Sequence, residues 1–262
     1  MHRFSYLAWL ALISLSFFLA ERALPARREQ PTLRPQLAND LVLLVFNGHL
    51  WAVLTGAFTG WLVLGANDVL ERLGARPQQG LLSGLPFPVQ FALYLVASDF
   101  LQWCVHNLLH RVPFLWSFHK LHHSARALDW VVNFRFHWME LVVYRTSLYV
   151  PLLWLGGDGQ PLFAVAVFAT AWGHFNHSNL GLSIGPLAYV FNSPRMHLWH
   201  HDASDEGGPA KNFGIVLSLW DWLFGTAYWP RQRAPARLGY PGDDEMPPDV
   251  LRQELFPLTR RR

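Results

Sequence analysis

Long apolar runs separated by polar or glycine-containing stretches divide the chain into predicted helices. A helix of about 20 apolar residues crosses the ~30 Å hydrocarbon core of a bilayer. Residues 156–161 join two such runs with glycine, aspartate and proline, a composition that ends a helix. The pattern predicts an all-α, integral-membrane helical bundle of about four to five spans with a cytoplasmic helical cap. The predicted spans are residues 4–20, 41–66, 91–110, 139–155 and 162–177.

The first apolar run has a second interpretation. Arg3 precedes it and the small residues Ala23 and Ala26 follow it, which is also the pattern of a cleaved signal peptide. The further apolar runs downstream favour a retained membrane helix.

The basic residues indicate an orientation in the membrane. If the amino terminus lies outside, residues 67–90 are outside, and residues 21–40, 106–138 and everything from 177 onward are inside. Seventeen of the 21 Lys and Arg residues then fall inside, as the positive-inside rule requires. Arg145 falls within a span and is expected to snorkel to the inner face. The sequence therefore predicts a multi-pass membrane protein with its carboxyl terminus in the cytoplasm.

The amino-acid composition limits the kinds of metal site and binding surface that the chain can form. Hydrophobic residues make up 52% of the chain and charged residues 15%, against about 25% charged in soluble domains. Cys104 is the single cysteine, which excludes an intramolecular disulfide and a cysteine cage for zinc or iron–sulfur clusters. A net charge of +3 on so apolar a chain is not typical of a nucleic-acid surface. Any metal chemistry must therefore use histidines and carboxylates.

Histidines form the most specific pattern in the sequence. Eleven of the 13 lie between His106 and His201, and the arrangement HxxHH occurs twice. Spacings of three and four residues place side chains on one helix face. The groups are His106 with His110, His119 with His122 and His123, His174 with His177, and His197 with His200 and His201.

These ten histidines are predicted to bind metal. An isolated case such as His49 is better explained by a hydrogen bond at the membrane interface. Ten clustered imidazoles without metal would need partners for all their ring nitrogens. Ten ligands are too many for one zinc ion and unusual for two. Two iron ions with five nitrogens each would leave positions for oxygen, although imidazole also suits copper and zinc.

Several motifs around the histidines resemble the fatty acid hydroxylase superfamily of membrane proteins, which includes sterol desaturases and C-4 methylsterol oxidases. The resemblance covers about residues 99–226. It rests on Asp99, His106, His110 and Arg111; Leu115, Trp116, His119, His122, His123 and Ser124; Arg135, Phe136, His137 and Glu140; His177, Ser178 and Asn179; Ser193, Pro194, Arg195, Met196, His197, His200 and His201; and Trp220, Asp221, Phe224, Gly225 and Thr226.

The resemblance implies a cytoplasmic non-haem di-iron centre that uses O2 and reducing equivalents to hydroxylate or desaturate a fatty-acyl or sterol-like lipid. It implies His106, His110, His119, His122, His123, His174, His177, His197, His200 and His201 as metal ligands. Zinc is expected as a substitute ion in preparations. Electrons are expected from a separate ferredoxin- or cytochrome-type donor with its reductase, because the remaining residues are too few for a haem or flavin domain.

Two further residues are candidates for catalytic support. Asp99 is the one acid within the third span and is expected to accept the ring N–H of a ligand histidine. His137 has three interpretations: an outer partner of a ligand, a ligand itself, or a helix cap. The predicted organisation is an N-terminal membrane segment (1–90), a catalytic domain (91–229) and a polar, loosely packed Arg- and Pro-rich tail (230–262).

The histidine pattern also bears on three other functional classes. A membrane cytochrome needs only paired histidines at mid-membrane depth, and here they are too many and lie at span ends. A zinc hydrolase of the HExxH type lacks its glutamate in these clusters. A metal-binding or transport protein without chemistry would distribute its ligands along a path through the bilayer. A lipid oxygenase is therefore the leading hypothesis, with a non-catalytic or zinc-type metal-binding protein as the alternative.

Overall fold

The computed structural model describes residues 5–74, 80–204 and 211–259. These residues form ten α-helices and no named β-strand. Residue 4 of the first predicted span, residues 75–79 of the predicted outer loop and the last three residues of the tail lie outside the description. The helices are α1 (Tyr6–Ala23), α2 (Leu37–Val45), α3 (Trp51–Arg72), α4 (Phe87–Arg111), α5 (Pro113–His123), α6 (Trp138–Trp154), α7 (Gly159–His177), α8 (Pro194–His200), α9 (Leu219–Phe224) and α10 (Val250–Thr259).

Each predicted apolar run forms a helix. The second run is longer than predicted, because a π-helical turn at Phe46–Leu50 joins α2 to α3 without a break. Residues 67–72 of the predicted outer loop are therefore helical. The third, fourth and fifth runs correspond to α4, α6 and α7, which confirms the all-α class.

Within the described ranges, two stretches are long and apolar enough to cross a membrane: α1 and the continuous stretch Leu37–Arg72. Large apolar side chains on both are exposed, among them Leu19, Trp61 and Leu64. Such surfaces are unfavourable in water and favourable in lipid. These two stretches therefore support a membrane protein. That α4, α6 and α7 also cross the membrane stays a prediction.

α1 is an integral part of the bundle. It packs on α7, where the Tyr6 hydroxyl and Thr170 Oγ1 are 2.7 Å apart. At its other end the buried Glu21 carboxylate accepts hydrogen bonds from the backbone amides of Trp130 and Asn179, both at 2.8 Å. These contacts favour a retained helix over a cleaved signal peptide.

The polar tail is not loosely packed, so that part of the sequence interpretation is wrong. Tyr240 and Met246 are buried against Leu43 and Leu121. Asp243 pairs with Arg126 at 2.8 Å and also with Arg237. A segment with few apolar residues is thus fixed by a small number of well-placed contacts beside the histidine-bearing helix α5.

A buried ion network holds α5 against α2. The Arg135 side chain is fully buried. Its guanidinium donates hydrogen bonds to Asp40 at 2.5 Å, to the Leu121 carbonyl at 2.9 Å and to Ser124 at 2.8 Å. Asp40 also pairs with Arg34 at 2.7 Å. One arginine therefore connects α2 to the last turn of α5.

Replacing Arg135 with methionine should destabilise the folded protein by about 3–5 kcal/mol, because one partner of a buried ion network is lost. Arg126→Met is the matched control: its side chain is 57% exposed, so its loss should cost at most about 1 kcal/mol. Denaturant unfolding in detergent, followed by tryptophan fluorescence, measures both. Equal shifts for the two variants would contradict the structural role of Arg135.

Candidate metal centre

The structure brings nine of the ten predicted ligands into two adjacent groups. In each group, one ring nitrogen from every histidine lies within 4.8 Å of the others. The first histidine group comes from α4, α5 and α8, and the second from α5, α7 and the end of α8. The first comprises His106, His110, His119, His123 and His200, and the second His122, His177, His197 and His201.

The HxxHH pattern divides in the same way on both short helices. On α5, His119 and His123 are four residues apart and share a face, while His122 points to the second group. On α8, His197 and His201 form the pair in the second group, and His200 points to the first. Each short helix therefore contributes to both groups, which places them side by side.

Proline fixes where both short helices begin. Pro113 opens α5, and Pro194 opens α8 immediately after Ser193. The Ser193 hydroxyl accepts from the Met196 amide at 3.4 Å. Proline at the first helical position is pre-organised for the helix. These starts set the register that turns the histidines inward.

The first histidine group has the donor atoms that a metal ion needs. The Nε2 atoms of all five members are buried without any hydrogen-bond partner among the described residues. An unpaired buried polar atom costs about 1–3 kcal/mol. Five such atoms facing one point are accounted for if they share a cation, so the residues fit a metal ion here.

The second histidine group is equally crowded. His177 Nε2 lies 2.9 Å from His197 Nε2 and 3.2 Å from His122 Nε2. Adjacent nitrogens around an ion with metal–nitrogen distances of about 2.1 Å are about 3 Å apart at right angles. The spacing therefore fits ligands of one metal ion, with His201 as the fourth.

Outer hydrogen bonds fix the orientation of four of these rings. His119 Nδ1 lies 2.8 Å from Glu140 Oε1. The Nδ1 atoms of the other three lie 2.8 Å from backbone carbonyls: His106 from Phe213, His200 from Lys211 and His177 from Gly173. Donation from Nδ1 leaves the Nε2 lone pair free for a metal, as is typical of ligand histidines.

Burial also keeps the rings neutral. It lowers the pKa values of His119, His122 and His123 on α5 well below the ordinary range, and neighbouring imidazoles lower them further. The pKa values of His200 and His201 are lowered for the same two reasons. A neutral imidazole keeps its lone pair, so these rings are ready to bind metal at neutral pH.

The structure does not bring His174 to either group, which corrects its assignment as a ligand. Its Nε2 lies 3.2 Å from Ser14 Oγ, and its Nδ1 lies 3.0 Å from Asn133 Nδ2. The ring stacks on Trp130 with centroids 5.2 Å apart. Both nitrogens are engaged, so His174 joins α1 and α7 rather than facing the metal groups.

Asp99 does not contact a histidine either. Its carboxylate accepts from the amides of Val216 and Leu217 at 2.7 and 3.0 Å and from Trp220 Nε1 at 2.9 Å. These bonds hold the loop 213–217, whose first carbonyl accepts from His106. Asp99 therefore acts on a histidine through the backbone and not directly as predicted.

Asp221 holds the same loop from the other side. It accepts from the amides of Phe213 and Gly214 at 2.9 and 2.8 Å and from Trp103 Nε1 at 3.0 Å. Because Phe213 is also the carbonyl partner of His106, Asp221 helps to hold that partner in place.

His137 occupies the cap position of α6. Its Nδ1 accepts from the Met139 amide at 3.1 Å, and its Nε2 donates to the Glu254 carbonyl of α10 at 2.6 Å. Of its three interpretations, the contacts agree with the helix cap. The residue thus anchors the tail to α6 and contacts no member of the two groups.

Glu140 is the carboxylate partner that sequence reasoning missed. It lies three residues after His137 within the motif already noted, in the first turn of α6. An acid at the start of an apolar helix is a signal that could have identified it. The carbonyl partners carry no side-chain signal and require the fold.

A cavity of about 520 Å³ opens from the two groups into the bundle. Its inner end is lined by His106, His119, His122, His177 and His197. The rest is mostly apolar and comes largely from α6 and α7, with further residues from α1, α3 and α4. Pockets of 300–1,000 Å³ with apolar walls and few polar groups are typical of small-molecule sites. The metal groups therefore face a space that suits an apolar ligand.

Two matched variants test whether His174 is a metal ligand. His174→Gln should leave the metal content after anaerobic Fe(II) loading near that of the unmodified protein, whereas His177→Gln should lose about one ion in two. Elemental analysis of desalted protein gives the answer. Equal metal loss in both variants would return His174 to the ligand set.

Glu140→Gln should weaken metal retention by about 10–100-fold, because the amide orients His119 less strongly than a carboxylate does. Competition with a chelator measures the loss. Asp68→Asn, which changes an exposed carboxylate on α3, is the control. Retention equal to that of Asp68→Asn would contradict the role of Glu140.

Comparison with known proteins agrees with this geometry. The chain is 34% identical over 178 residues to ornithine lipid hydroxylase OlsE of Rhizobium tropici, covering 67% of this chain and 52% of that protein. It is 45% identical over 156 residues to fatty acid hydroxylase vlmA of a Lecanicillium species, covering 53% and 41%. It is 25% identical over 177 residues to human alkylglycerol monooxygenase, covering 67% and 39%.

The chain thus spans about half or less of the length of these relatives. No solved structure gives a significant match. A family model described as fatty acid hydroxylase matches residues 91–226, the segment that carries both histidine groups, Glu140 and Asp99. The chain belongs to the fatty acid hydroxylase family.

Proposed function

We propose that this chain is a membrane-bound non-haem di-iron oxygenase that oxidises a lipid with O2 and external electrons. The observation that carries the proposal is the pair of adjacent histidine groups at the inner end of an apolar cavity. Five histidines of these groups also line the cavity, so the candidate metal ligands and the space for a substrate adjoin. A storage or transport site would need the ligands but not the cavity.

The ligand set favours iron. Both groups consist of imidazoles without a carboxylate, and five and four nitrogens leave coordination positions for a small molecule. Neutral nitrogen ligands suit ferrous iron. Bound iron would supply the oxidising power that breaks an aliphatic C–H bond. Zinc would occupy the same nitrogens in some preparations, and it would give an inactive protein.

The chain's own residues would position the substrate and exclude water. Phe136 stacks on His122 with ring centroids 4.8 Å apart and lines the cavity beside Leu141. Apolar walls at this point would hold a hydrocarbon segment against the metal groups. A dry site also limits side reactions of a strong oxidant.

Hydroxylation is the favoured outcome over desaturation. The relatives named above are called hydroxylases and a monooxygenase. Those names describe the relatives, and we extend the reaction class to this chain because the matched segment contains its metal groups.

We also propose that the metal centre faces the cytoplasm in a multi-pass protein. The distribution of Lys and Arg residues supports this orientation. An electron donor would then dock on the basic inner face. A separate ferredoxin- or cytochrome-type protein with its reductase fits that role.

The activity is tested by lipid mass spectrometry under ¹⁸O2 in cells that express the chain. The unmodified protein should introduce one labelled oxygen into a membrane lipid, and His122→Gln and His200→Gln should abolish it, because each removes a ligand of one group. Asp68→Asn is the control, since that carboxylate is exposed on α3 and belongs neither to the histidine groups nor to the cavity wall.

Three outcomes separate the alternatives. Labelled hydroxyl lost in both ligand variants supports hydroxylation, and loss of two hydrogens without label supports desaturation. Identical lipid profiles for the unmodified protein and both ligand variants, with metal bound, would leave the metal-binding alternative and refute the oxygenase.

A further inference from the structure

Arg145 is a cation in the wall of the apolar cavity. It lies on α6, is partly buried, and is the one Lys or Arg among the described residues that line this space. Those lining residues include no Asp or Glu. The cavity therefore contains one fixed positive charge and no fixed negative charge.

The guanidinium has no polar partner in the part of the chain that the structure describes. Its recorded ring contact is with Tyr149, whose centroid lies 5.7 Å from Arg145 Cζ. Other arginines of this interior, such as Arg34 and Arg135, are paired with carboxylates at 2.5–2.8 Å. A charge beside apolar walls is costly unless it is paired, so Arg145 lacks the partner that its environment calls for.

The neighbouring hydroxyls do not supply one. Thr170 Oγ1 donates to the Ala166 carbonyl at 2.9 Å. Tyr6 is then the donor in its 2.7 Å bond to Thr170. Among the described residues, no hydrogen bond joins Arg145 to either hydroxyl oxygen. The five N–H donors of the guanidinium are left for a ligand.

A carboxylate or a phosphate matches this arrangement. Each presents two oxygens of one anionic group, which an arginine binds through two parallel hydrogen bonds. A neutral ester or alcohol would leave the charge unpaired. Arg145 lies five residues beyond Glu140, which is about 7.5 Å along the helix axis, so an anion held here stays in the same cavity as the metal groups.

We propose that Arg145 binds the anionic headgroup of the lipid and selects anionic lipids over neutral ones. That this lipid is the substrate rests on the proposed function, whereas the binding preference does not. The apolar remainder of the cavity, along α6 and α7, holds the hydrocarbon chain. Snorkelling to the membrane surface is the competing role, and it predicts no dependence on the headgroup.

Photo-crosslinking tests the preference without turnover. Full-length protein in nanodiscs of zwitterionic lipid is irradiated with a diazirine-labelled fatty acid or with its methyl ester. Labelled peptides of α6 and α7 are quantified by mass spectrometry. The acid should label the unmodified protein about tenfold more than the ester does, because a charge-assisted pair is worth about that factor.

Three variants locate the effect. Arg145→Gln should reduce labelling by the acid to the level of the ester and leave labelling by the ester unchanged. Arg145→Lys should retain part of the preference, because it keeps the charge but loses the planar fork. Arg72→Gln removes an equally positive residue that is 77% exposed on α3, and it should behave like the unmodified protein.

A diazirine-labelled lysophosphatidic acid distinguishes a phosphate from a carboxylate, and stronger labelling by either one identifies the headgroup. Equal labelling by acid and ester in the unmodified protein would overturn the proposal. Loss of acid and ester labelling together in Arg145→Gln would assign the residue a structural role and overturn it as well. Since the assay needs neither iron nor O2, a failure of the oxygenase reaction leaves its result unaffected.

Discussion

The centre of this structure is constrained by the burial of many imidazole lone pairs in one place. Eight of the nine grouped histidines are buried and His110 is partly buried. They cannot be protonated together, because burial and mutual repulsion oppose the charge. Nor can they satisfy one another, since the Nε2 atoms of the first group have no partner. A shared cation would satisfy these lone pairs, and the helices around them hold the rings in position for one.

Much of the surrounding structure serves that requirement through the backbone. The Nδ1 atoms of four grouped histidines bond to one carboxylate and three backbone carbonyls. Two of those carbonyls belong to the segment 211–213 after α8. The carboxylates of Asp99 and Asp221 hold this segment and the residues after it by accepting four hydrogen bonds from backbone amides. The Asp99 carboxylate on α4 thus supports the candidate metal site without touching one of its histidines. Arg135 has the corresponding role for α5.

Sequence reasoning identified the helices and the nine grouped histidines because their signals are local. Helical spacing decides which histidines share a face, and two HxxHH motifs leave few arrangements. His174 differs because it lies one turn before His177, where α7 packs on α1 and on Trp130. Its surroundings depend on helices far away in sequence. The tail was misjudged for the same reason: its composition is polar, while its few apolar residues, such as Tyr240 and Met246, meet a partner surface that only the fold provides.

Apolar side chains lie both on the outside of the bundle and along the cavity. The outer faces of α1 and α3 expose large apolar side chains, whereas residues on α3, α6 and α7 line the cavity. A hydrocarbon chain that moves from bilayer to cavity exchanges one apolar environment for another and gains little from hydrophobic burial. Discrimination among membrane lipids must then come from polar contacts and shape. In a cavity with a single fixed charge, the headgroup is the part of a lipid that offers the largest difference in binding free energy.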